Sequence, residues 1–273
     1  MLTSFLTLLS LGCLTGITTV LFGFGGGFIT VPVVYGVLTM TAPPGADADA
    51  MHVAVATSAA VMVVNASAPA LAQWRQGRLR REYVWPLAAF IAAGSVAGSF
   101  ATTLIGGTAL SLLFAAYLLV TIADSLLRKG FLSVTQRTRP QPLERRTVTF
   151  GGIGIGLVAA GLGVGGSVMT VPLLRRRGLP MAEATAMANP LSVPVAVAAT
   201  LVYALAPTAA AAGGGSGRLG YVDLTAGAAL LLGSLPTIAV ARRLTGRVPD
   251  RVHSIAYVAL LVVVLIVMLA MGL

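Results

Sequence analysis

Apolar residues run along this chain in long windows separated by short polar stretches. The windows cover residues 2–22, 53–71, 84–104, 109–127, 184–205, 224–240 and 255–273. Each is near the ~20 residues that carry a helix across a bilayer core. Short segments of alternating polarity, as in a membrane β-barrel, are absent. The pattern predicts an all-α, polytopic membrane protein. Composition agrees. Of the 273 residues, 57% are hydrophobic and 10% charged, where a soluble domain carries roughly a quarter charged.

The first apolar stretch is too long for one span. From Met1 to Met40 it covers 40 residues, roughly 60 Å as a single helix and about twice the hydrocarbon thickness. It is interrupted by GFGGGFITVP, Gly23 to Pro32. A second copy, GVGGSVMTVP, runs from Gly163 to Pro172. A shift of 140 residues sets Gly23, Gly25, Gly26, Thr30, Val31 and Pro32 on Gly163, Gly165, Gly166, Thr170, Val171 and Pro172. The same shift sets Gly77-Arg78-Leu79 on Gly217-Arg218-Leu219, and one residue less sets Gly94-Ser95 on Gly233-Ser234. Three ordered matches make the chain a repeat. Residues 1–130 are expected to form one membrane half, 131–146 a cytoplasmic linker and 147–273 a second half. Each half opens with a glycine-broken hairpin whose pieces either cross or re-enter, for about 8–10 helical segments in all. Pro32 and Pro172 are expected to kink or end the short pieces.

Charge gives the halves a direction. The net charge is +10. The arginines fall between the windows: Arg75, Arg78, Arg80 and Arg81; Arg137, Arg139, Arg145 and Arg146; Arg175 to Arg177; Arg242, Arg243, Arg247 and Arg251. No aromatic residues interleave with them as a nucleic-acid stacking platform needs, so the expected partner is the lipid bilayer and not nucleic acid. Arginine-rich loops stay cytoplasmic. With both termini outside, and each broken piece returning the chain to its starting side, every strongly basic loop falls inside. Counting each piece as one crossing strands Arg175–Arg177 and Arg242–Arg251 outside. The halves are therefore expected to be inverted, as in many secondary transporters. Cys13 is the only cysteine, which excludes an intramolecular disulfide and a Cys-based zinc site. No cofactor or metal is expected. The first window lacks a basic leader and a cleavage site, and reads as an uncleaved helix.

The breaks are where chemistry is expected. A helix that begins at a break leaves its first N–H groups without intrahelical partners. In lipid those groups must face protein or a wet cavity, and their partial positive charge favours an anion. Gly25, Gly26 and Gly27 are expected to form one wall of a substrate site, and Gly165, Gly166 and Ser167 the other. Thr57, Ser58, Asn189 and Ser192, polar residues in the following apolar windows, would complete the shell. The competing reading is close helix packing through small residues. Two near-copies, in pieces too long for one span, favour the anion site. A nucleotide loop is excluded, because no Walker lysine follows the glycines.

The GxGGxxxxVP element in both halves, followed by ATS at Ala56–Ser58 and ANP at Ala188–Pro190, resembles the sulfite exporter TauE/SafE family, also called the 4-toluene sulfonate uptake permease family. The resemblance covers nearly the whole chain. It implies secondary transport of sulfite-like, sulfonate-like or other small organic anions through a bacterial inner membrane. Ser167 stands where the first copy has Gly27, so the two walls are not strictly equivalent.

Asp124, Glu183, His52 and His253 are expected near the membrane interface, Asp124 paired with Arg128 at i+4 and Glu183 at a helix start. None sits convincingly at the midplane, which leaves open a coupling proton or sodium ion. An intramembrane enzyme is a second class of function. Its only GxSG string, Gly214 to Gly217, lies in a glycine-rich loop, and HExxH is absent, so no catalytic residue is expected. An anion channel is the third class, and the internal repeat favours a carrier over it.

Overall fold

The computed structural model describes residues 2–41, 49–77, 79–127, 141–207, 217–244 and 248–271. The first half contains α1 (Leu2–Phe22), α2 (Gly27–Thr41), α3 (Ala50–Arg75), α4 (Arg81–Thr102) and α5 (Gly107–Leu127). In the second half a π-helical turn, Thr147–Gly151, leads into α6 (Gly152–Leu162), followed by α7 (Ser167–Arg176) and α8 (Met181–Leu205). A two-stranded hairpin, β1 (Arg218–Leu219) and β2 (Val222–Asp223), precedes α9 (Leu224–Ala241) and α10 (Asp250–Ala270). The protein is thus an all-α polytopic membrane protein. Among the described residues seven helices (α1, α3, α4, α5, α8, α9 and α10) are long and apolar enough to cross a bilayer, and each matches one apolar window of the sequence. Most of the expected linker, residues 131–140, lies outside the described residues, as do Gly214 to Ser216.

Large apolar side chains point outward along these helices, among them Trp85, Phe100, Leu127 and Leu205. In water such a surface would be unfavourable; against acyl chains it is the expected solvent contact. With lipid outside, the helices gain nothing from hydrophobic association, and close backbone approach has to hold them together. Two crossings do this. A Cβ on Gly12 would lie 2.5 Å from the Leu230 carbonyl oxygen, and one on Gly16 2.5 Å from that of Ser234, so α1 and α9 touch backbone to backbone. Cβ atoms on Gly94, Gly98 and Gly156 would run into the carbonyls of Ile153, Leu157 and Ile91, so α4 and α6 do the same. Gly12 and Gly16 lie 140 residues before Gly152 and Gly156.

These contacts also set direction. Gly12 meets Leu230 and Gly16 meets Ser234, so α1 and α9 run the same way. Gly94 meets Ile153 and Gly98 meets Leu157, so α4 and α6 do too. Tyr203, near the end of α8, shares a 2.6 Å hydrogen bond with Thr102 at the end of α4. His52, at the start of α3, lies 3.1 Å from the Thr102 carbonyl. Hence α3 opposes α4 and α8. Helix α9 follows α3, from Thr57, which accepts from the Asp223 N–H at 2.9 Å, to Asn65, which accepts from Ser234 at 2.8 Å.

The basic segments gather at one end. Arg80 pairs with Glu183 at 3.0 Å, Arg175 with Asp250 at 2.9 Å and Arg177 with Glu144 at 3.3 Å. Asp124 pairs with Arg176, 52 residues away; Arg128, its expected partner at i+4, lies outside the described residues. Pro32 and Pro172 lie inside α2 and α7 and end neither helix, which leaves the kink of the two expected roles. His52 and His253 lie in the first turns of α3 and α10, buried against the protein.

Candidate functional site

The two breaks are built alike. Helix α1 ends at Phe22, and Gly23, Gly25 and Gly26 take φ of +73°, +62° and +83° before α2 begins. Helix α6 ends at Leu162, and Gly163 and Gly165 take +65° and +71° before α7 begins. Other residues rarely adopt this left-handed region, so glycine is required at these five positions. Gly166 departs from its counterpart, with an ordinary helical φ of −69°. Each break reverses the chain. Gly27 lies beside Ser58 in the middle of α3, while Tyr35, two turns on, shares a cavity with Asp49 and His52 at the start of α3.

The breaks meet inside the core. The Ser58 hydroxyl lies 2.9 Å from the Gly27 carbonyl oxygen and 2.8 Å from that of Gly163, sharing its one proton between the halves. Met62 fills the space beside them: Cβ atoms on Gly25 and Gly165 would lie 2.7 and 2.6 Å from its side chain. Ser58→Ala removes the donor the two carbonyls share; the Gly27 carbonyl keeps its intrahelical donor in α2, and loss of the donor at the Gly163 carbonyl costs about 1–3 kcal/mol. We expect a lower unfolding midpoint in detergent; an unchanged midpoint would mean that this bridge carries no stability.

The expected shell residues divide. Gly25, Gly26, Gly27, Gly165, Gly166 and Ser167 are all buried at the breaks. Ser167 is buried with its hydroxyl unpartnered by any described residue. Ser58 is engaged by the two carbonyls. Ser192 donates to the Ala188 carbonyl at 3.0 Å and lies beside Gly165. The Asn189 amide approaches the Thr19 carbonyl at 3.4 Å, and its Oδ1 has no described partner. Thr57, the residue before Ser58 in α3, stands apart, accepting from the N–H of Asp223.

A further polar residue of the 53–71 window, outside the expected shell, stands at the break. Asn65 is fully buried, and its Oδ1 is fixed by Ser234. Its Nδ2 has no described partner and lies 2.8 Å from where a Cβ on Gly26 would be. Asn65, Asn189, Thr19 and the first break therefore surround one polar spot on the arginine-rich side of the crossing. The spot holds one free N–H donor, Asn65 Nδ2, and one free acceptor, Asn189 Oδ1, without a charged side chain, and so avoids the cost of a buried ionised residue. Among the described residues, no group of three or more His, Cys, Asp or Glu could hold a metal ion.

Comparison with known proteins fits this architecture. The family described as sulfite exporter TauE/SafE matches the chain over residues 8–268. The protein belongs to the TauE/SafE family. The TauE/SafE chain is also similar to a probable membrane transporter protein of Haemophilus influenzae, with 28% identity over 185 residues, 67% of each chain. No solved structure matches it.

Cavities open at both ends of the TauE/SafE helix bundle. At the arginine-rich end a cavity of about 470 Å³ opens between α1, α3 and α8. At the other end one of about 900 Å³ is lined by Tyr35, Asp49, His52, Thr108, Ser111 and Tyr221. Burial and the nearby Asp49 carboxylate raise the Tyr221 hydroxyl above its ordinary pKa, so the phenol stays neutral and Asp49 is the acidic group of that wall.

Proposed function

We propose that this membrane transporter is a secondary carrier for small sulfur-containing or organic anions, sulfite-like or sulfonate-like, working by alternating access. The observation that carries the reading is the meeting of two glycine breaks in the core, with the unpartnered Asn65 amide beside Gly26. A break supplies N–H groups and a positive dipole end without a buried cation. The opposed directions of α1 and α6, α3 and α8, and α4 and α9 support an inverted repeat, in which one half rocks against the other around a fixed site. The arginine-rich end is the cytoplasmic face of the bacterial inner membrane on the positive-inside rule, which puts both termini outside. The reading needs no catalytic step.

Counterflow in proteoliposomes tests it. Vesicles loaded with unlabelled sulfite should accumulate labelled sulfite saturably, and sulfonates should compete. Gly26→Leu forces a side chain into φ +83° against Asn65 and should cut exchange at least tenfold. Asn65→Ala, which leaves the backbone alone, should also reduce it while eluting as a folded protein. Absence of exchange with sulfite and sulfonates alike would remove the anion-carrier reading. Imposed pH and sodium gradients in the same vesicles show whether a proton or sodium ion is coupled.

A further inference from the structure

The cavity at the arginine-rich end is more than a gap between loops. Arg80 and Arg242 line it with Gln73 and Gln76 from α3 and Glu183 from the first turn of α8. Its inner wall is formed by Val20, Pro69 and Ala186. Val20 adjoins Thr19. Pro69 and Ala186 lie four and three residues from Asn65 and Asn189, about one helical turn or ~5 Å along the axis. The cavity thus ends one turn from the polar spot at the breaks.

Its charge suits an anion. Two guanidiniums face one carboxylate. Arg80 and Glu183 are 3.0 Å apart, with side chains 38% and 44% exposed, and so open a pair is held by only about 0–1 kcal/mol. Arg242 has no ion-pair partner among the described residues. A planar guanidinium offers paired N–H donors that match the oxygens of a sulfonate or phosphate. The positive-inside rule accounts for arginines at this end but does not by itself turn them into a cavity between helices; Arg243, beside Arg242 and like it exposed, does not line the cavity.

We propose that this cavity is a binding site for small oxyanions, in which Arg80 and Arg242 hold the anion one turn from the breaks and Glu183 competes with it for Arg80. The proposal rests on the carrier reading for its role as an entry or exit station, but the binding stands on its own. A phosphate headgroup of an anionic lipid presents the same chemistry as a free oxyanion, and the test separates the two.

The full-length protein in phosphatidylcholine nanodiscs is titrated calorimetrically with methanesulfonate. Arg242→Gln and Arg80→Gln should each weaken binding about tenfold. Arg243→Gln should leave it unchanged, and Glu183→Gln should tighten it severalfold. Gly26→Leu, which disables the breaks, should retain vestibule binding; this separates failure of the site from failure of the carrier reading, which is judged by exchange alone. Wild-type affinity that is the same in phosphatidylglycerol nanodiscs supports a free-anion site. No detectable binding at millimolar methanesulfonate, or equal affinity in the wild type and both cavity-arginine variants, overturns the proposal. Loss of binding in phosphatidylglycerol alone assigns the cavity to a lipid headgroup and overturns it for the free anion.

Discussion

Asp250→Asn should destabilise the protein more than loss of any other acidic partner at the arginine-rich end. Arg175 is the reason. Its side chain is 0% exposed although it stands in a run of three arginines. Asp250 accepts from its guanidinium at 3.0 Å and from the Met181 N–H at 2.7 Å, and Ser254 accepts from the same guanidinium at 3.0 Å. One carboxylate therefore ties the end of α7 to the starts of α8 and α10. Removing it leaves a buried cation without its counter-charge. Breaking such a pair from one side costs about 3–5 kcal/mol, and the 41% exposure of the Asp250 side chain places the loss near about 3 kcal/mol on that scale. The exposed pair Arg177–Glu144, 3.3 Å apart, is the control: Glu144→Gln should cost under about 1 kcal/mol. The double change Arg175→Met with Asp250→Leu should recover part of the loss, because an apolar pair of similar volume carries no desolvation penalty. Denaturant unfolding of the purified variants measures all three. A loss for Asp250→Asn no larger than that for Glu144→Gln would show that Arg175 finds its stabilisation elsewhere.

Arg175 also shows where sequence reading stops. In the chain it is one of three adjacent arginines, and nothing local marks it as the buried one. Its burial follows from α10, which arrives 75 residues later. Asn65 is similar. Its residue type and apolar surroundings are visible in the sequence, but its orientation against Gly26 is set by Ser234, 169 residues away. The seven spanning helices were legible because lipid imposes length and apolarity on each one separately. The breaks were legible because glycine at positive φ has few substitutes. The helix crossings were not. With 32 glycines in the chain, a pair such as Gly12 and Gly16 does not stand out until the facing carbonyls are known.

Those crossings carry the second large expected effect, and Gly154 and Gly156 isolate it. Both lie in α6, two residues apart. A Cβ on Gly154 would meet nothing within 4 Å, whereas one on Gly156 would run into the Ile91 carbonyl and lie 2.8 Å from the Ser95 nitrogen. Alanine favours a helix over glycine by about 0.5–1 kcal/mol. Gly154→Ala should therefore stabilise the protein slightly. At Gly156 the same change must push α6 off α4, and overpacking of that kind costs about 1–3 kcal/mol. The two alanine variants should thus differ in sign. The displacement also has a functional consequence, because α6 ends at Leu162 and Gly163 follows immediately with its carbonyl against Ser58. A helix shifted at Gly156 moves the second break relative to the first. Gly156→Ala should then lower sulfite counterflow as well as the unfolding midpoint, while Gly154→Ala leaves exchange at the wild-type rate. Equal midpoints for the two variants would mean that the α4–α6 contact yields without cost. A destabilised Gly156→Ala protein with undiminished exchange would separate the crossing from the site and argue that the breaks do not work as a pair.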